Sequence, residues 1–172
     1  KVEVTLEPAN SNSGIVFRRT DLEKDNEIVA NFKNVSSAKL CTKIQNSSGA
    51  SVSTIEHLMA AFYICGIDNI IVNLNGPEVP IMDGSAKDFV KIIKDCGLKV
   101  LEGKRKFVRI KNKIELKTED GKLIYIKPSN QTLDVKFTLN YENNPLIKTQ
   151  TNKIDFTNKN LNEIIDARTF CL

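Results

Sequence analysis

The sequence predicts an α+β fold split between two small domains, and three observations support this. Short apolar runs, too brief for helices, fill residues 1–53 and recur after residue 107. Between them lie two stretches with apolar residues three and four apart, each ended by a glycine. Around residues 101–106 the chain turns charged and loses periodicity, as a linker does. The expected layout is a first α+β domain over 1–101, a linker over 102–106, and part of a second α+β domain over 107–172. Each domain is a small sheet packed with helices, and the second is expected to be incomplete.

Taken in order, Val2, Val4 and Leu6 alternate with polar residues until Pro8, which is expected to end that strand. Ser11-Asn12-Ser13-Gly14 reads as a turn, with Ile15-Val16-Phe17 opening the next strand. Residues 28–32 and 40–44 are two more strand candidates, and Asn46-Ser47-Ser48-Gly49 is a turn. Ser53-Thr54-Ile55-Glu56 has the form of a capping box, in which the serine accepts from the N3 amide and the glutamate reaches back. Ile55, Leu58, Met59 and Phe62 then mark a helix over 54–65, with Gly66 as its left-handed stop. Met59 and Phe62 read as core. Residues 69–74 are a strand. Residues 78–84 are extended, because the residue before a proline is pushed out of the helical region. Ser85 and Asp88 open a second helix, with stripe Phe89, Ile92, Ile93 and Cys96, and Gly97 ends it.

Beyond the linker, strands are expected at 107–110, 114–116, 123–126 and 133–139, with Glu119-Asp120-Gly121-Lys122 as a hairpin turn. Leu161, Ile164 and Ile165 suggest a last short helix ending near Arg168.

Composition narrows the function classes. The 25 basic and 21 acidic residues leave a net charge of only +4, too small and too dispersed to indicate nucleic acid. The densest run, Lys104-Arg105-Lys106, reads as solvated linker. No apolar run approaches the ~20 residues that cross a bilayer. The chain opens in strand-like alternation rather than with a signal peptide, so a membrane-spanning or secreted protein is not expected. Cys41, Cys65, Cys96 and Cys171 are widely spaced without a Cys-x-x-Cys, which suits reduced, mostly buried thiols in the cytoplasm.

The only histidine, His57, follows Glu56 on the first turn of the first helix. In zinc hydrolases an imidazole supplies a neutral nitrogen ligand, and a nearby glutamate takes a proton from water. The pair alone does not establish catalysis, since Glu56 is equally explained as a cap and a single histidine is more often hydrogen-bonded structure.

The surrounding text adds weight. Ser53-Thr54-Ile55-Glu56-His57-Leu58-Met59-Ala60-Ala61 is followed by Gly66-Ile67-Asp68-Asn69 and by Gly76-Pro77-Glu78-Val79-Pro80-Ile81-Met82-Asp83-Gly84-Ser85-Ala86. Together with Ile15-Val16-Phe17-Arg18-Arg19-Thr20-Asp21, Leu40-Cys41-Thr42 and Ala167-Arg168-Thr169-Phe170, these segments resemble the UDP-3-O-acyl-N-acetylglucosamine deacetylases. Those are cytoplasmic zinc hydrolases of the committed step of lipid A synthesis. The resemblance runs from end to end, in the family's order. It implies hydrolysis of the N-acetyl amide of an acylated UDP-amino sugar, with Glu56 as general base, His57 as first zinc ligand and Thr169 stabilising the oxyanion. Phe170 lies against the substrate in that reading, and Asp83 has a supporting role beside the cleft, if it is more than a turn or cap aspartate.

The departures are also specific. The family's opening Gly-Leu-His-Ser-Gly segment is absent, Lys39 stands where an apolar residue is common, and Cys171 where glycine is usual. No histidine follows His57, so the family's His-x-x-x-Asp ligand pair and its general-acid histidine are missing. The remaining zinc ligands are expected beyond Leu172, which makes the chain an inactive fragment of the enzyme, expected to be monomeric. Three rivals stay open: a short non-catalytic relative that binds a nucleotide sugar or a protein partner, a metal-independent α+β module, and, less well supported, a small nucleic-acid-binding domain.

Overall fold

The N-terminal alternation does form a strand, and the proline expected to end it belongs to it. In the computed structural model, which describes residues 1–130, 133–156 and 161–169, β1 is Val4–Pro8, β2 is Ile15–Arg19 and β3 is Glu27–Val29. After a 3-10 turn, Phe32–Asn34, come β4 (Val35–Ser37), β5 (Lys43–Gln45) and β6 (Ser51–Val52). Helix α1, Glu56–Cys65, leads to β7, Ile70–Leu74, and then to α2, Lys87–Cys96. The first sheet has the order β1-β7-β2-β3, in which β7 lies parallel to β2 and antiparallel to β1. Pro8 pairs with Ile70 on the edge strand, where a missing N–H is tolerated. A three-stranded sheet, β4-β5-β6, stands beside it in the same unit.

A parallel pair such as β2 and β7 requires a crossover, and α1 lies on that connection. Ile70, Val72 and Leu74 of β7 are buried on alternate positions. Leu58, Ala61 and Phe62 of α1 and Phe89, Val90 and Ile93 of α2 close the core, and the two helices pack together. Phe62 is core as expected, whereas Met59 is only half-buried. The glycine stops hold. Gly66 sits at φ 73°, with its amide on the Tyr63 carbonyl and Ile67 N on Phe62 O, the double closure of a Schellman end. Gly97 donates to Ile93 O and ends α2.

Several expectations needed correction. The strand expected over 28–32 stops at Val29, because the Asn31 side chain accepts from Lys33 N and opens the 3-10 turn. The strand expected over 40–44 starts only at Lys43, since Leu40 takes a left-handed φ of 66°. Arg105 of the supposed solvated run is anchored: its Nε donates to both Asp68 oxygens (3.0 and 2.8 Å), and Nη2 donates to Gly66 O (2.9 Å). A cation on the last carbonyls of a helix is favoured by the helix dipole. Nor are the cysteines mostly buried: Cys41 and Cys65 are half-exposed, Cys96 is exposed, and all three are free thiols. Cys171 lies outside the described residues.

Arg19, almost buried, links the two sheets of this unit. Its Nε and Nη2 donate to Asp21 (2.7 and 2.6 Å), and Nη1 donates to Ser51 O on β6. Those bonds hold the Asp21 carboxyl below its usual range.

Residues 1–105 with 162–169 form one compact unit, and Lys106–Leu161 a second. The second holds two antiparallel hairpins. β8 (Ile114–Lys117) pairs with β9 (Leu123–Ile126) around the expected Gly121 turn, whose φ is 84°. β10 (Asp134–Tyr141) pairs along its whole length with β11 (Lys148–Asp155). β11 is too polar to read as a strand from sequence; the β10 register recruits it, with Thr138 and Thr151 hydroxyls 2.9 Å apart across the pair. The strand expected over 107–110 does not form, and Phe107 and Val108 are exposed. Helix α3 is a single turn, Asn162–Ile165, ending three residues before the expected Arg168. Several small sheets and three helices make this an α+β fold.

Two outcomes follow from this packing. Phe62 is fully buried, so Phe62→Ala should lower unfolding free energy by ~3–5 kcal/mol in urea titrations followed by circular dichroism. Asp21 is depressed in the folded state, so its contribution is present above the unfolded value of ~3.9 and lost as pH falls through the folded one. Asp21→Asn should therefore lower the urea midpoint at pH 6, by an amount that shrinks as the pH falls below the unfolded value of ~3.9.

Candidate active site

The Glu56–His57 pair occupies the first turn of α1, and neither residue is fully buried. The expected capping box is not formed. The N-cap position is Ile55, without a side-chain cap. Ser53 instead donates its amide (2.9 Å) and its hydroxyl (3.2 Å) to Pro77 O. The Glu56 carboxylate turns away from its own helix, and its Oε2 accepts from the Thr42 amide at 3.0 Å. Ile55 N returns a bond to Thr42 O at 3.4 Å, so both backbone groups of Thr42 face the helix start. A cap is thus no longer sufficient to explain Glu56. One carboxylate oxygen is fixed by a main-chain donor, and the carboxylate sits on the first turn of α1.

Thr54 carries the strain of this entry. It is a buried β-branched residue at φ 58°, a conformation such residues rarely adopt. Its hydroxyl donates to Glu78 Oε1 at 2.6 Å, and Val79 N donates to Ser53 O at 3.1 Å. The extended segment 77–79 therefore grips the two residues that precede the helix.

The stretch expected to be extended over 78–84 instead turns at its end: Met82 takes a left-handed φ of 54°, Gly84 N donates to Ile81 O at 2.9 Å, and Asp83 lies in that turn before α2. Asp83 Oδ1 accepts from Ser85 N (3.0 Å) and Ser85 Oγ (2.6 Å), and Oδ2 faces Arg168 Nη2 at 3.2 Å. The Ser85 hydroxyl foremost, with its amide and Arg168, holds the Asp83 carboxyl below the ordinary range. Ser85 does help to start α2, as expected: its hydroxyl accepts from Lys87 N, although the N-cap position belongs to Ala86. Thr169 is placed against this loop, its amide donating to Gly84 O at 2.9 Å.

Glu56 and His57 thus come together by sequence, and Asp83 and Thr169 by folding. Phe170 lies outside the described residues. Thr42 and Arg168 had no assigned role in the sequence reading. Thr42 acts through its backbone, which no residue type advertises, whereas the charge of Arg168 offered a signal only alongside Asp83.

Among the described residues no three His, Cys, Asp or Glu side chains gather to hold a metal. His57 is the only histidine of the sequence. A catalytic zinc ordinarily takes three protein ligands, so the described donors do not by themselves make up such a site.

All of residues 1–172 match the family model described as LpxC, UDP-3-O-acyl N-acetylglycosamine deacetylase. Similar proteins named UDP-3-O-acyl-N-acetylglucosamine deacetylase include that of Wigglesworthia glossinidia brevipalpis, 42% identical over 98% of this chain and 57% of the relative. That of Blochmanniella pennsylvanica is 43% identical over 99% and 57%. That of Aliivibrio fischeri is 40% identical over 99% and 56%. The chain therefore spans little more than half the length of these relatives.

The Glu56–Thr42 bond is directly measurable. The Thr42 amide should exchange with solvent several-fold faster in Glu56→Ala than in the parent chain, read by NMR hydrogen exchange.

Proposed function

This chain belongs to the UDP-3-O-acyl N-acetylglycosamine deacetylase family, and on that premise we propose that it carries the general-base side of a deacetylase active site. The substrate is an acylated UDP-amino sugar, and the reaction is hydrolysis of its N-acetyl amide to a free amine and acetate. The step belongs to lipid A synthesis. The observation that carries the reading is the fixed Glu56 carboxylate beside His57, inside a family match over the whole chain.

Glu56 has one oxygen held by the Thr42 amide, which leaves the other to accept a proton from the attacking water. Thr169 is tethered by its amide, so its hydroxyl is available to donate to the carbonyl oxygen as negative charge develops there. Phe170 is assigned to the substrate and Asp83 to support. Protonation of the leaving amine falls to a group outside these residues, since the sequence has no second imidazole. The implied metal is zinc, to which His57 offers one nitrogen, the other donors being expected outside these 172 residues. The three free cysteines among the described residues fit a reducing, cytoplasmic setting, and a monomer is the expected state. Among the described residues no helix is long and apolar enough to cross a membrane.

Elemental analysis of the 172-residue chain beside a longer form that completes it to its relatives' length tests this reading. The expected result is about one zinc per chain and acetate release from the nucleotide sugar in the longer form only. Glu56→Ala should reduce that release by roughly 10²–10⁴-fold. Stoichiometric zinc in the short chain would refute the ligand assignment. Metal in neither form would favour a non-catalytic relative.

A further inference from the structure

Residues 162–169 are fastened to the start of α2 and the turn before it by several independent ties. Ile165 is buried, and Lys87 Nζ meets Asp166 Oδ1 at 3.2 Å. Asp83 meets Arg168 at 3.2 Å, and the Thr169 amide reaches Gly84 O at 2.9 Å. The ion pairs alternate in sign: an acid at 83 with a base at 168, a base at 87 with an acid at 166. Slipping the segment by one residue would set Asp83 against Ala167 or Thr169, neither of which carries charge. Exposed pairs of this kind are energetically weak, so their contribution is mainly to register.

Asp83 is the member that joins these ties to the rest of the unit. One oxygen is bound to the fully buried Ser85, at the root of α2. The other faces outward to Arg168, the residue before Thr169. Between them Gly84, at φ 82°, presents its carbonyl to the Thr169 amide. A Cβ at Gly84 would lie 3.5 Å from Thr169 Cγ2, so the threonine methyl rests on the bare glycine. Because a β-branched side chain is stiff at χ1, a methyl fixed there also fixes where the hydroxyl points.

We propose that Asp83 is the positioning residue for Thr169. Bridging Ser85 and Arg168, it sets the register in which Thr169 meets Gly84 and thereby aims the threonine hydroxyl. This rests on the reading of Thr169 as oxyanion donor. A turn aspartate with a merely local role would need Ser85 alone; the link to Arg168 is what such a role leaves unexplained.

Amide hydrogen exchange of the 172-residue chain, read residue by residue by NMR, is the deciding experiment. In Asp83→Asn and in Arg168→Ala the Thr169 amide should exchange about five-fold faster, with the Val90 and Ile93 amides of α2 unchanged. Arg168→Lys should restore part of the protection. If Asp83→Asn also loosens α2, Arg168→Ala, which leaves the Asp83–Ser85 bonds in place, decides alone. Unchanged Thr169 exchange in that variant overturns the proposal. In the longer, catalytically complete form Arg168→Ala should lower kcat with little change in KM, and should do so no longer in a Thr169→Ala background. An equal loss in both backgrounds also overturns it. Faster exchange with unchanged kcat supports the positioning and instead removes Thr169 from the chemistry.

Discussion

The backbone bonds of segment 77–84, which turns at 81–84 after Pro80, constrain the residues around the candidate site. At one end Pro77 O and Val79 N are bonded to Ser53, immediately before α1; at the other, Gly84 O holds the Thr169 amide. Proline at 77 and 80 restricts this stretch and keeps it from folding back into a helix, so it can connect two distant parts of the chain. Glu56 and Thr169, more than a hundred positions apart in sequence, are thus both referred to one short piece of backbone. Main-chain groups take partners where the fold offers them, and here those partners lie on the segments that carry Glu56 and Thr169.

The start of α1 illustrates how a local preference gives way to a tertiary one. Ser53 and Glu56 have the residue types of a reciprocal cap, yet each bonds elsewhere, to Pro77 and Thr42. Each bond made in place of the cap ties the helix start to a separate stretch of chain. The left-handed Thr54 between them is the strain that accompanies this arrangement, offset by its hydroxyl bond to Glu78. A carboxylate used up in capping would be a poor base; one steadied by a single amide keeps an oxygen free. Charge plays a lesser part, since the ion pairs at Asp83 and Lys87 are partly or largely solvent-exposed and select register more than they add stability.

Legibility varied with how local the determining force is. Both glycine stops, the β7 alternation and the Gly121 hairpin are short-range effects of dihedral preference and periodicity, and they read directly from the residues. β11 was illegible because its residues are polar and only the pairing with β10 makes it a strand. The run 107–110 failed in the opposite sense, being apolar enough for a strand but without a pairing partner among the described residues. Arg105 looked like one more solvated charge until Asp68 and the Gly66 carbonyl stood beside it.

By itself the sequence determined the α+β class, the helix ends, the Glu-His pair on a first turn and the family to which those motifs belong. It could do so because residue type and spacing within a few positions are enough for each. Only the tertiary structure decided that Glu56 leans on a main-chain amide, that Asp83 reaches Arg168, and that Thr169 rests on a glycine. Those outcomes depend on backbone donors and on neighbours up to 85 positions away, and neither has a signature in Glu56, Asp83 or Thr169 themselves.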